Sequence, residues 1–236
     1  MNSGEKARQL WRLAFAILGG LALCGAARGQ DIQGYPPNVD AYDAREVALL
    51  PRYCIYTQSF RDRVPGGNDK AVIDGWYERL GTTFHALHHY CWGLMKTNRA
   101  TLLGLNRERR LFYLGDAIGE FDYVIEHASD DFILLPEILT KKGENLARLG
   151  RGPTAVLMFE RAAQLKPDYW PPYGQMSDYY KEQGDLKKAR EALERGLSFS
   201  PDAPGLKRRL EELGSTGAGK KGSPRSSQAE KASGGR

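Results

Sequence analysis

The stretches AVLMFERAAQLKPD (155–168) and AREALERGLSFSPD (189–202) superpose without a gap. Ala155 falls on Ala189, Phe159 on Leu193, Ala162 on Gly196 and Pro167 on Pro201, each pair 34 positions apart. A fixed period of this kind constrains a chain more than any single residue does. Each copy must be one supersecondary unit that buries its apolar surface against the next copy. Within each copy the apolar and small residues recur at helical spacing, and the Pro-Asp pair closes an exit turn. Small side chains at Ala155, Ala162, Ala189 and Gly196 let helices approach, while Phe159 and Leu193 fill the space between them. The expected product is a row of stacked helical hairpins.

The segments before each copy supply the first helix of each hairpin: PEILTKKGENLARLG, with Leu139, Gly143 and Leu146, and PPYGQMSDYYKEQGD, with Tyr173, Met176, Ser177 and Tyr180. The period, together with this order of Ala, large apolar, small and Pro, resembles the tetratricopeptide repeat. The resemblance implies an all-α superhelix with repeats at 136–169 and 170–203. A degenerate copy is traced in Ala117, Phe121 and Val124, 38 positions before its counterpart, so that SDDFILLPE holds a four-residue insertion. Its first helix is the His-rich stretch, and the helical region 71–135 contains both. PGLKRRLEELG (204–214), with Leu206, Leu210 and Leu213 on one stripe, reads as the capping helix that such arrays need. Residues 215–236 contain no Leu, Ile, Val or aromatic side chain. They cannot offset their own ordering entropy and read as a disordered basic tail.

Ahead of the array, residues 30–70 read as an irregular lead with one short helix, Asp43 and Glu46 being spaced as a capping box. RYCIYTQSF (52–60) reads as extended or a single turn. One helical reach is expected from a cap at Asn68 or Asp69 towards Thr97, and a second from Asn98 to Ala128, interrupted around Gly104 to Asn106. Residues 1–29 have the form of a secretory signal: Lys6, Arg8 and Arg12 precede the apolar run LAFAILGGLALC (13–24), and Gly25, Ala26 and Ala27 follow it. The run is shorter than the ~20 residues of a spanning helix. Cleavage after Ala27 or Gly29 and a periplasmic or secreted product are therefore expected. Retention of the segment, or lipid attachment at Cys24, would instead keep the chain at a membrane. The net charge of +5 divides as +3 in residues 1–29 and +4 in 214–236, leaving −2 between them. Such a middle lacks the basic face that nucleic-acid phosphates demand.

The stretch FHALHHYCWGL (84–94) raises the possibility of a metal. On a helical wheel Phe84, Leu87, His88, Cys91, Leu94 and Met95 share one stripe, and His85, His89 and Trp92 flank it. His85 and His89 could share an ion at i, i+4, and His88 and Cys91 at i, i+3. The alternative ligand set is thus His85, His88, His89 and Cys91. A structural zinc needs four ligands, and no ligand-spaced motif supplies the remainder. In an oxidising compartment the two cysteines left after signal removal, Cys54 and Cys91, most simply form a disulfide. Reduced core thiols or metal ligation are the other readings. No Cys-x-x-Cys-His haem attachment, Gly-x-Ser-x-Gly elbow, phosphate-binding glycine loop or His-Glu-x-x-His motif occurs. In DYWPPY (168–173), Tyr173 is expected between helices and Trp170 at the surface.

The function expected is that of an exported, non-catalytic scaffold or adaptor, with no cofactor, that holds a protein or peptide in a concave groove. A copper or zinc carrier built on the His/Cys cluster is the alternative. The resemblance implies that first helices line the groove, which points Glu137, Thr140, Glu144, Gly174, Asp178 and Lys181 inward. The Lys/Asn set by which some members of the family clamp a terminal carboxylate is not matched at these positions.

Overall fold

The computed structural model describes residues 44–219, with side chains to residue 215. The expected signal, Cys24, the Asp43 cap and residues 220–236 lie outside the described residues. Among those described there is no strand. The fold is all-α, a superhelix of antiparallel helical hairpins. A helical turn at Ala44–Val47 and a 3-10 turn at Arg52–Tyr56 precede helix α1, Lys70–Leu80. After a second 3-10 turn at Thr82–Ala86 come α2 (Leu87–Leu102), α3 (Arg107–His127), α4 (Leu135–Arg148), α5 (Gly152–Leu165), α6 (Pro171–Glu182), α7 (Leu186–Phe199) and α8 (Pro204–Gly219).

Local chemistry sets the boundaries. The Asp69 carboxylate accepts from the amides of Ala71 and Val72 to open α1, Asn106 accepts from Arg109 to open α3, and Asp185 accepts from Lys188 to open α7. Helices α4 and α6 carry prolines in their first turn, Pro136 and Pro171, whose missing N–H falls where a helix has no use for it. The turns within the last two hairpins are the same device displaced by one period. Arg151 N–H bonds Leu146 O and Gly150 N–H bonds Ala147 O; Asp185 N–H bonds Tyr180 O and Gly184 N–H bonds Lys181 O. In each, the glycine sits at positive φ, +76° and +78°. These are helix-ending turns that only glycine enters without strain.

Three boundaries differ from expectation. The reach from Asp69 to Thr97 is broken at Gly81, whose φ of +64° and closing bond to Tyr77 O stop α1 before the Thr82–Ala86 turn. The last helix runs to Gly219, past residue 214 and into the segment read as disordered. The first hairpin is longer than its successors. A Cβ on Gly93 would stand 2.3 Å from the Phe121 ring, as one on Gly143 would stand 2.4 Å from Phe159, so the two pairs are equivalent positions. Gly93 and Phe121 are 28 positions apart and Gly143 and Phe159 are 16. The first copy therefore carries a second insertion, in its hairpin, besides the one before α4.

Each hairpin pairs its two helices (α2 with α3, α4 with α5, α6 with α7), and each second helix leans on the first helix of the next unit. The first helices also touch in sequence, α2 to α4 to α6 to α8. They form the inner layer. Seams between units are closed by small residues under large ones, Gly152 beneath Tyr179 and Gly196 beneath Leu206, and Gly196 also lies under Tyr173 of its own hairpin. Two apolar clusters result. One, around Leu87, Phe121, Leu135 and Leu139, fills the first unit and its junction with the second; the other, around Phe159, Tyr173, Leu193 and Leu206, runs to the last helix.

Candidate protein-binding face

The inner layer is built from one face of α4, α6 and α8. Glu137 accepts from the Tyr90 hydroxyl of α2 at 2.7 Å. Glu144, only 11% exposed, is met by Lys141 at 3.2 Å and Arg148 at 3.6 Å on its own helix, and by the Gln175 amide of α6 at 3.4 Å. Asp178 receives the Arg209 guanidinium of α8 in a two-pronged pair, Nη2 to Oδ2 at 2.9 Å and Nε to Oδ1 at 3.2 Å. Gln175 to Glu144 and Arg209 to Asp178 each span 31 positions, so they are one inter-unit contact repeated. Lys181 is exposed at the C-terminal turn of α6.

Of the six residues expected to face a ligand, Glu137, Glu144, Asp178 and Lys181 thus lie on this layer with accessible surface. Two do not serve as expected. Thr140 is buried, its hydroxyl spent on Pro136 O at 2.7 Å. Gly174 is buried beneath the Arg209 guanidinium, whose Cζ would lie 3.3 Å from a Cβ placed there. Gln175 and Arg209, which sequence reasoning missed, hold the carboxylates in place. The signal that could have found them was the 31-residue offset from Glu144 and Asp178.

Tyrosines crowd the α2 end of this layer. Tyr90 is fully buried; Tyr53, from the Arg52–Tyr56 turn, packs edge-on to Trp76 with ring centroids 5.7 Å apart. The Tyr53 hydroxyl is buried without a hydrogen-bond partner. Burial, then the neighbouring Glu137 carboxylate, pushes the phenols of Tyr53, Tyr90 and Tyr169 well above their ordinary value. All three phenols stay protonated near an acid, and Tyr90 donates to it. Trp170, expected at the surface, is half-buried over Gly205 of α8.

The histidines are dispersed among separate partners. His85 Nδ1 meets the Tyr77 hydroxyl at 2.7 Å, His88 Nδ1 faces the carbonyl of His85 at 2.9 Å, and His89 Nδ1 meets Glu120 at 2.5 Å. Burial, with His89 beside it, lowers the His88 pKa. Among the described residues no three His, Cys, Asp or Glu side chains converge as a metal would require, so the alternative set His85, His88, His89 and Cys91 is not assembled. The reason is that α2 is covered on two sides. Its Cys91 side faces the lead, with Sγ 2.07 Å from Cys54 Sγ and Trp92 against Phe60 at 5.0 Å, while its His89 side faces α3. There Lys96, 3% exposed, bonds Asp116 at 2.8 Å and Glu120 at 2.6 Å. Burial alone would lower the Lys96 pKa; these carboxylates outweigh it and raise the value.

No protein-family model matches the chain. The Hsp70-Hsp90 organizing protein of Triticum aestivum is 30% identical over 92 residues, which are 38% of this chain and 16% of that protein. The chain thus spans about a sixth of its curated relative's length. Two solved structures are similar: the first tetratricopeptide domain of Spaghetti (RPAP3) bound to the HSP90 peptide SRMEEVD, and the Sgt2 tetratricopeptide domain from Aspergillus fumigatus. For the first the TM-score is 0.40 at 17% identity, covering 53% of this chain and 95% of that one. For the second it is 0.44 at 18% identity, covering 60% and 91%.

Proposed function

We propose that this chain is an exported, non-catalytic adaptor whose inner helical layer holds an extended segment of another protein. The observation that carries the reading is the continuous layer α2, α4, α6, α8, on which polar side chains at a regular offset stand ready for backbone and side-chain contacts. Its carboxylates, Glu137, Glu144 and Asp178, are balanced by Lys141, Arg148, Arg209 and Lys181. Such a face does not select a terminal carboxylate, and the ligand is instead a mixed-charge or neutral segment. Export is supported by Lys6, Arg8 and Arg12 before the apolar run 13–24. A Cys54–Cys91 disulfide belongs to the same oxidising setting.

A displayed peptide library selected on the purified chain tests the reading. Selected peptides should bind with an affinity measurable by calorimetry. Gln175→Ala and Lys181→Glu should weaken them about tenfold or more, as loss of one or two contacts worth ~1.4 kcal/mol does, while Leu157→Ala on the exposed side of α5 should not. Peptides insensitive to the inner-layer changes, or lost with Leu157, would overturn it.

A further inference from the structure

The surplus length of the first hairpin is spent on its tip, residues 101–112. There α2 ends in Leu102, Gly104 turns the chain at φ +61°, and α3 starts at Arg107. Three large apolar side chains are presented to water: Leu102 at 63% exposed, Leu103 at 37% and Phe112 at 54%. The same segment carries Arg107, Arg109 and Arg110 against one acid, Glu108. The fold gains little from either set, Phe112 reaching only the edge of Tyr113 at 5.6 Å. Exposed leucine and phenylalanine gain nothing from burial, and cations in the first turn of α3 oppose the helix dipole. Antiparallel packing of α2 and α3 brings Phe112, a turn and a half into α3, towards the end where Leu102 and Leu103 lie.

We propose that this tip is a peripheral membrane-contact site for an anionic bilayer. Leu102, Leu103 and Phe112 enter the boundary between headgroups and acyl chains, and Arg107, Arg109 and Arg110 pair with lipid phosphates. A bilayer interface supplies both apolar depth and phosphate charge within the footprint of a hairpin end. A stable protein partner asks for roughly 20–30 residues from each side, more than this tip of about twelve. No helix among the described residues is long and apolar enough to cross a membrane, so the contact lies on the bilayer surface.

Hydrogen exchange of the full chain, read at the tip, is the test, because local protection separates this contact from any made by residues 13–24. Amides of 101–112 should slow with phosphatidylcholine vesicles containing phosphatidylglycerol. Affinity read there should be about thirtyfold above that for phosphatidylcholine alone, given two net positive charges near the surface. Combined L102E, L103E and F112E should abolish the slowing while leaving the melting temperature near that of the wild type, and combined R107Q and R110Q should remove the preference for phosphatidylglycerol. The proposal is overturned by unchanged tip exchange with anionic vesicles, by slowing that survives the triple variant, or by protection with polyglutamate and not with vesicles.

Discussion

Alanine at Gly93 should destabilise a helix that, by propensity, it ought to improve. Glycine in a helix interior is about 1 kcal/mol worse than alanine. The added Cβ, however, would stand 2.3 Å from Cε1 and 2.6 Å from Cδ1 of Phe121, where carbon contacts settle at ~3.5–4.0 Å. The ring must retreat by about an ångström, and Phe121 is fully buried among Leu87, Tyr90 and Leu139 with no space to enter. Overpacking of this kind costs about 1–3 kcal/mol, and a displaced aromatic ring in a closed core belongs at the upper end. After the propensity gain, the net loss is about 2 kcal/mol, or roughly 4–8 °C in melting temperature for a domain this size. Gly143→Ala, 2.4 Å from Phe159, should behave alike. Gly115→Ala and Gly119→Ala, on exposed turns of α3 with nothing within 4 Å, should instead stabilise by about 0.5–1 kcal/mol. Thermal and denaturant melts read the sign. Gly93→Ala melting at or above the wild type would refute the equivalence of the first hairpin to the others.

Cys54→Ala and Cys91→Ala should each lower the unfolding free energy by about 3–4 kcal/mol for a closure of 37 residues, and the double variant should lose little more; additive losses, or titratable thiols at both positions in the unfolded oxidised chain, would exclude the bond. Glu120 gives a pH signature. Burial alone would raise its pKa, but hydrogen bonds from His89 and Lys96 outweigh burial and hold it below the usual 4.5. A depressed acid adds stability that is full above the unfolded pKa and lost as pH falls through the folded one. Wild-type melting temperature should therefore drop below about pH 4.5, and Glu120→Gln should start lower and fall less steeply. Parallel acid limbs would place the acid sensitivity elsewhere.

The stack was legible because Ala155/Ala189 and Phe159/Leu193 carry packing roles that few side chains fill. Phe121 was legible in the same way, as the degenerate copy, but its partner Gly93 was hidden by an inserted hairpin tip, since a period cannot be seen across an insertion of unknown length. The wheel put Leu87 and Cys91 on one stripe, and both are buried, but one stripe does not describe the surroundings of α2. With the lead on one side and α3 on the other, α2 also buries Tyr90 and Trp92, and its histidines meet different neighbours. The inner layer was legible as a set of positions. Which were accessible was not, because Arg209 covers Gly174 from an element whose packing no local pattern reports.

Any linear stack runs out of neighbours twice, and its outermost members are where it begins to come apart. Here one terminus is closed by α8, held by apolar contacts and the Arg209 clasp, while the other would be strapped to the lead by the proposed Cys54–Cys91 disulfide. With the strap closed, fraying should start from α8. In a reductant the vulnerable terminus should switch, so the surroundings that make or break one covalent link would decide from which side the array is dismantled.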